Sequence, residues 1–197
     1  MIPQTFIFFG RSGCGKGTQA ELLIDYLAKK DPNRKTIFIE TGRLLRSFAD
    51  NEKGFTGQKV KKILGEGGLQ PEFLPIYLWG GKLIKELSGD EHIVCDGVAR
   101  RLPEAPVLDS AFHFYDRKSP NVVYLNVSSE WAIKRLLERG RSDDDKKEIE
   151  NRMTWFDKNV VPAINYFKDN SYYNFSEING EQEIEKVHAD IIRAINI

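Results

Sequence analysis

The run FIFFGRSGCGKGTQA sets Gly10, Gly15 and Lys16 in a G-x-x-x-x-G-K spacing, between an apolar stretch and a stretch of helical periodicity. Glycines there let successive backbone amides turn toward one point, the helix start adds partial positive charge, and Lys16 adds a full one. That arrangement suits the terminal phosphates of a ligand. The hydroxyl expected directly after the lysine is displaced by Gly17 and arrives as Thr18. Further cations for a phosphate would come from arginines, whose planar fork grips phosphate in two places at once. Taken singly, each reads equally well as a surface ion pair. Asp96 closes the apolar run IVCD, where an α/β sheet presents ligand-binding groups, although a helix cap would use the same residue type. His92, His113 and His188 have no evident partners in the sequence and read as structural or exposed.

The elements that must position these residues follow from periodicity. Thr5–Phe9, Thr36–Ile39, Ile93–Cys95, Val122–Val127 and Tyr172–Phe175 are short and mostly continuous apolar runs, the pattern of strands covered on both faces. Thr18–Lys30, Glu72–Leu87, Glu130–Arg139 and Glu148–Lys168 carry apolar residues three and four apart. Strand and helix alternating in this way predict an α/β fold with a parallel sheet. Two segments read less like framework: the polar, glycine-containing Arg43–Gln70 and the short charged run Gly140–Lys147.

Composition bounds the function classes. The chain has 197 residues, enough for one core, with 29 Lys plus Arg against 29 Asp plus Glu. That balance argues against a long nucleic acid or an acidic membrane as partner. It hides local order, since Lys134–Arg141 holds four cations against the single acid Glu138. Cys14 and Cys95 cannot build a disulfide scaffold and suggest a reducing compartment. The N-terminus lacks a basic start, and its apolar run is too short for a signal peptide or a membrane span; a cytoplasmic protein is expected.

Beyond the phosphate loop, ETGRLLR at 40–46, GEGGLQPEF at 65–73, CDGVARRLPEA at 95–105, RLLERGRSDDD at 135–145, ENRM at 150–153 and ING at 178–180 follow in order. With its GKGTQ ending, this series resembles the adenylate kinases, of the nucleoside monophosphate kinases, in their short-lid form, over essentially the whole chain. The resemblance implies a P-loop three-layer fold with a five-stranded parallel sheet flanked by helices. It implies one domain over 1–197, with an inserted monophosphate-binding segment at about 41–70 and a short lid at about 139–147. It implies Mg²⁺-dependent transfer from ATP to AMP by a monomer, and no zinc, because the lid lacks the ligand cysteines. The acceptor is itself a phosphate oxygen, so no general base is needed.

Residue by residue, the resemblance puts Gly13, Cys14, Gly15, Lys16, Gly17, Thr18, Arg135, Arg139 and Gly180 on ATP. It puts Thr41, Arg46, Gly68, Leu69, Gln70, Gly97, Arg100, Glu104, Arg141 and Arg152 on AMP. Lys16, Arg100, Arg139, Arg141 and Arg152 would serve the transferring group, and Asp96 would meet Mg²⁺ through water. Asp143 and Asp144 read as helix caps or as hinge or catalytic groups. Several positions depart from the family pattern: Ser12 for Pro, Val98-Ala99 for Phe-Pro, Arg43 for Asp, and Gln70 for Val. Glu104 stands where a Gln would read the acceptor adenine. An ionised carboxylate only accepts hydrogen bonds, which suits guanine's adjacent donors, while Thr41 keeps the type seen in adenylate-accepting members. Transfer to GMP or a pyrimidine monophosphate, and a nucleotide-binding regulator without turnover, are the rival readings.

Overall fold

The computed structural model describes residues 1–140 and 145–197. Strands β1 (Thr5–Gly10), β2 (Thr36–Glu40), β3 (His92–Asp96), β4 (Asn121–Asn126) and β5 (Asn174–Asn179) form one sheet in the order β2-β3-β1-β4-β5. Every neighbouring pair is parallel. The central strand β1, TFIFFG, is buried along its whole length, which is why it carries no polar alternation. Its Phe6 and Phe8 enter one core while Ile7 and Phe9 enter the other.

The first core is closed by α1 (Lys16–Lys30), α6 (Ser129–Arg139), α7 (Lys146–Trp155) and α9 (Ile184–Ile195), through residues such as Leu23, Leu136, Ile149 and Ile191. The second is closed by α4 (Phe73–Glu86), α5 (Glu104–Phe114) and α8 (Val161–Lys168), through Trp79, Leu108, Phe112 and Phe167. Three layers result, with the sheet in the middle. Fully burying each of these large side chains contributes roughly 1.5–3 kcal/mol.

Two expectations need correction, and α5 and α9 add helices in stretches to which the sequence reading assigned no element. The last strand is Asn174–Asn179 rather than 172–175: NFSEIN is a polar edge strand, and Tyr172 and Tyr173 instead pack ring edge to ring face at 5.2 Å. The helix expected over 148–168 is divided into α7, a π-helical turn at Phe156–Val160, and α8. Pro162 explains the division, since it has no N–H to donate and its ring collides with a carbonyl one turn back in a regular helix. The segment 43–70, read as less like framework, is largely helical: α2 (Thr41–Asn51) and α3 (Phe55–Gly65) share a small cluster of Leu45, Ala49, Val60 and Leu74.

Candidate active site at the carboxyl ends of the strands

β1 ends at Gly10 and α1 begins at Lys16, so the intervening residues must reverse direction in five positions. Gly10, Gly13 and Gly15 make that possible with φ of +150°, +88° and +89°. Gly15 caps α1 without a side chain, and the first turn holds no acid, so the N-terminal amides and the helix dipole stay available to an anion. Lys16 Nζ donates to the Arg11 carbonyl at 3.4 Å, bending the ammonium over the loop.

This loop forms one wall of a cavity of about 610 Å³. Lys16, Arg43, Arg46, Arg100, Arg135, Arg139 and Arg152 line it, against the acids Glu21, Glu40 and Asp96. Four cations beyond the acids is a strong local excess in a chain of zero net charge. At the α2 end two guanidinium groups converge: a Cβ on Gly42 would lie 3.2 Å from Arg46 Nη1 and 3.8 Å from Arg100 Nη2. Arg46 comes from α2 and Arg100 from the loop after β3, where its Nε donates to the Gly97 carbonyl at 3.0 Å. Arg152 projects from α7 and is buried.

The far end is built differently. Gly13, Cys14, Gly15, Thr18, Trp131, Arg135 and Gly180 line an adjoining groove of about 70 Å³. The Arg135 guanidinium stands 5.1 Å over the Trp131 ring, one turn away on α6. A flat, partly apolar groove beside a phosphate loop offers a planar ring system a place to lie.

Glu40 and Asp96 end neighbouring strands and are partners in the parallel ladder. Asp96 Oδ1 is buried with no hydrogen-bond partner among the described residues, and burial raises the carboxyl's pKa while Lys16 and Arg100 oppose the rise. It caps no helix, because α5 starts only at Glu104; the unspent oxygen on a cavity wall fits a cation or its water shell. Glu40 holds two arginines, with Arg43 Nε at 3.0 Å from Oε2 and Arg46 Nη2 at 3.1 Å from Oε1. Arg43 is thus spent on a neighbouring acid.

A model of the adenylate kinase family matches residues 8–172. The adenylate kinase of Prochlorococcus marinus (strain MIT 9301) is 32% identical over 190 residues, spanning 96% of this chain and 97% of the relative. Those of Leptospira biflexa serovar Patoc (strain Patoc 1 / Ames) and Flavobacterium psychrophilum are 31% and 29% identical, and 96% of this chain aligns with each, covering 98% and 97% of the relative. The chain belongs to the adenylate kinase family.

Among the residues expected to bind the two nucleotides of an adenylate kinase, the cavity brings together Gly13, Gly15, Lys16, Gly17, Thr18, Arg46, Gly68, Arg100, Arg135, Arg139 and Arg152. Cys14 and Gly180 lie on the adjoining groove, and Gly97 on a small recess shared with Lys16 and Arg100. Thr41, Leu69, Gln70 and Glu104 do not line the cavity; Thr41, Gln70 and Glu104 are buried. Arg141, Asp143 and Asp144 lie outside the described residues. The cap of α7 falls on Asp145, whose side chain accepts the Glu148 N–H at 2.9 Å in a reciprocal capping box. The histidines stay away from the cavity: His92 Nδ1 accepts the Gln4 N–H at 2.9 Å, and the His113 ring stacks on Tyr172 at 4.1 Å.

Residues that sequence reasoning missed also contribute. Trp155 lines the cavity and its Nε1 donates to the Gly67 carbonyl at 2.8 Å, tying α7 to the end of the α2–α3 segment. Asn151 Nδ2 adds a bond to the Glu66 carbonyl at 3.0 Å. Glu40 ends a strand just as Asp96 does, so the rule that marked one would have marked both.

Proposed function

We propose that this chain transfers the terminal phosphoryl group of ATP reversibly to AMP, giving two molecules of ADP, as a cytoplasmic monomer. The observation that carries the reading is the two-ended cation funnel: Lys16 and the free amides of α1 at one end, Arg46 and Arg100 converging at the other. A hydrolase or a pure binding module would need only the first end.

The donor triphosphate sits on the loop 10–18, its terminal phosphates against Lys16, with its base along the Trp131–Arg135 groove. The acceptor's phosphate sits between Arg46 and Arg100. Arg152 and Arg139 then face the group in transit, and their fixed positive charge stabilises the charge spread over its oxygens. The incoming oxygen is already anionic, so positioning replaces proton abstraction. Asp96 is the residue that would hold Mg²⁺ through water. When bound with the nucleotide, Mg²⁺ neutralises charge on the phosphates. The 41–70 segment closes over one substrate and the short lid expected at about 139–147, of which 141–144 lie outside the described residues, over the other, excluding the water that would otherwise take the phosphoryl group.

Purified protein with ATP, AMP and Mg²⁺ should form ADP, and Lys16→Ala should lose at least about a hundredfold in kcat. Nucleotide binding without transfer to any monophosphate would favour a regulator instead.

A further inference from the structure

The phosphate loop between β1 and α1 holds three glycines at positive φ, so its backbone has more conformations open to it than an ordinary turn. Residue 11 is where it is tied down. The Arg11 carbonyl accepts both the Cys14 N–H at 3.1 Å, which closes the turn, and the Lys16 ammonium at 3.4 Å. The Arg11 side chain lines neither the cavity nor the recess and groove beside it. It reaches instead to a residue 146 positions away, with Nη2 2.7 Å from Asp157 Oδ1 and Nη1 3.3 Å from Oδ2. Its guanidinium carbon stands 4.5 Å from the centre of the Phe156 ring. The Nε is buried with no hydrogen-bond partner among the described residues, so ring and carboxylate hold the group there against the loss of a donor's partner.

Phe156 and Asp157 open the π-helical turn between α7 and α8. Phe156 belongs to the core and is 1% exposed, which makes the turn a fixed anchor. Single π turns within helices recur at functional sites. Immediately before this one, α7 presents Arg152 and Trp155 to the cavity. One ion pair therefore joins the loop that carries Lys16 to the helix that carries Arg152. We propose that Arg11 and Asp157 are positioning residues for phosphoryl transfer: their ion pair fixes the phosphate loop against α7, so that Lys16 and Arg152 meet the same phosphoryl group. Arg11 acts through its carbonyl on Lys16, and Asp157 through the turn on Arg152 and Trp155. This rests on the reading of the cavity as a phosphoryl-transfer site. Asp157 is 62% exposed, and an ion pair with so exposed a partner adds little to stability, so its effect belongs in the rate rather than in the fold.

The test is a double-mutant cycle of Arg11→Gln and Asp157→Asn, read by steady-state kinetics with ATP, AMP and Mg²⁺. Misplacing catalytic groups by about 1 Å costs on the order of a hundredfold, and loosening one of several loop contacts should lower kcat about tenfold in each single variant. KM for AMP should stay within about twofold, because Arg46 and Arg100 are untouched. The double variant should also lose about tenfold, not the product of about a hundredfold, since either change alone breaks the pair. Asp157→Glu keeps the carboxylate and should recover most of the rate. Calorimetric stoichiometry with a non-hydrolysable ATP analogue counts folded sites, and kcat is expressed per site, so partial unfolding does not imitate the effect. Should Arg11→Gln fail to fold, Asp157→Asn and Asp157→Glu carry the test between them. A kcat in Asp157→Asn within about twofold of the parent, multiplied losses in the double variant, or Asp157→Glu as slow as Asp157→Asn would each overturn the inference while leaving phosphoryl transfer standing. A parent enzyme that phosphorylates no nucleoside monophosphate would overturn the phosphoryl-transfer reading, and this inference with it.

Discussion

Removing the ionisable group at position 104 should change stability in a pH-dependent way that activity plays no part in. In the unfolded chain this carboxyl titrates near 4.5, and in the folded chain burial pushes it up to about 7. A raised acid pKa means that the folded state favours the proton, so the contribution of Glu104 to stability is present in full below about pH 4.5. It is lost as pH rises through about 7, because the unfolded chain ionises freely while the folded one must bury a charge. The gap between the two pKa values corresponds to about 3 kcal/mol, to order of magnitude. That is a large part of the 5–15 kcal/mol typical of a domain. Glu104→Gln keeps shape and the acceptor for the Arg101 N–H and removes the titration. Urea unfolding of both proteins at half-unit steps from pH 4 to pH 8 should give curves that diverge by about 3 kcal/mol, with Glu104→Gln the more stable above pH 7. Parallel stability curves would refute the argument, since they would mean that the carboxyl is solvated or paired in the folded state.

Two further substitutions probe the frame of the site. Gly13→Ala should destabilise the fold by about 2–4 kcal/mol in thermal melts and weaken ATP binding: its φ is +88°, and a Cβ would lie 2.5 Å from the Ala132 carbonyl oxygen. Trp155→Phe should cost about 1 kcal/mol by loss of the bond to the Gly67 carbonyl, and should raise KM for AMP well beyond any change in KM for ATP, as steady-state kinetics with each substrate varied would show.

The parts legible in the sequence were those with local causes. The phosphate loop is set by glycines within a few residues of one another, and the sheet by apolar runs that need no partner to be recognised. β5 was misplaced because its edge position leaves NFSEIN polar, so the aromatic pair before it carried the stronger signal. The stretch 148–168 is one periodic run in sequence, and only Pro162 hints at the π turn. Of the site, the cations could be named from their motifs, but their partners could not. Arg43 reads as an isolated charge reversal until β2 and α2 bring it to Glu40, and Trp155 looks like core until its indole N–H meets Gly67. Glu104 shows the same limit from the other side. Its residue type suggested a permanent acceptor, whereas burial without an ion pair favours the neutral carboxyl.

The central claim is that both ends of the cavity hold nucleotides whose phosphates meet between Lys16 and the paired guanidinium groups of Arg46 and Arg100. The most direct measurement starts from ADP alone with Mg²⁺ and follows the phosphorus resonances in time. The account predicts that ATP and AMP appear in equal amounts and approach an equilibrium with ADP, with no inorganic phosphate. Release of phosphate without ATP, or an unchanged ADP spectrum at enzyme concentrations that bind it, would contradict it.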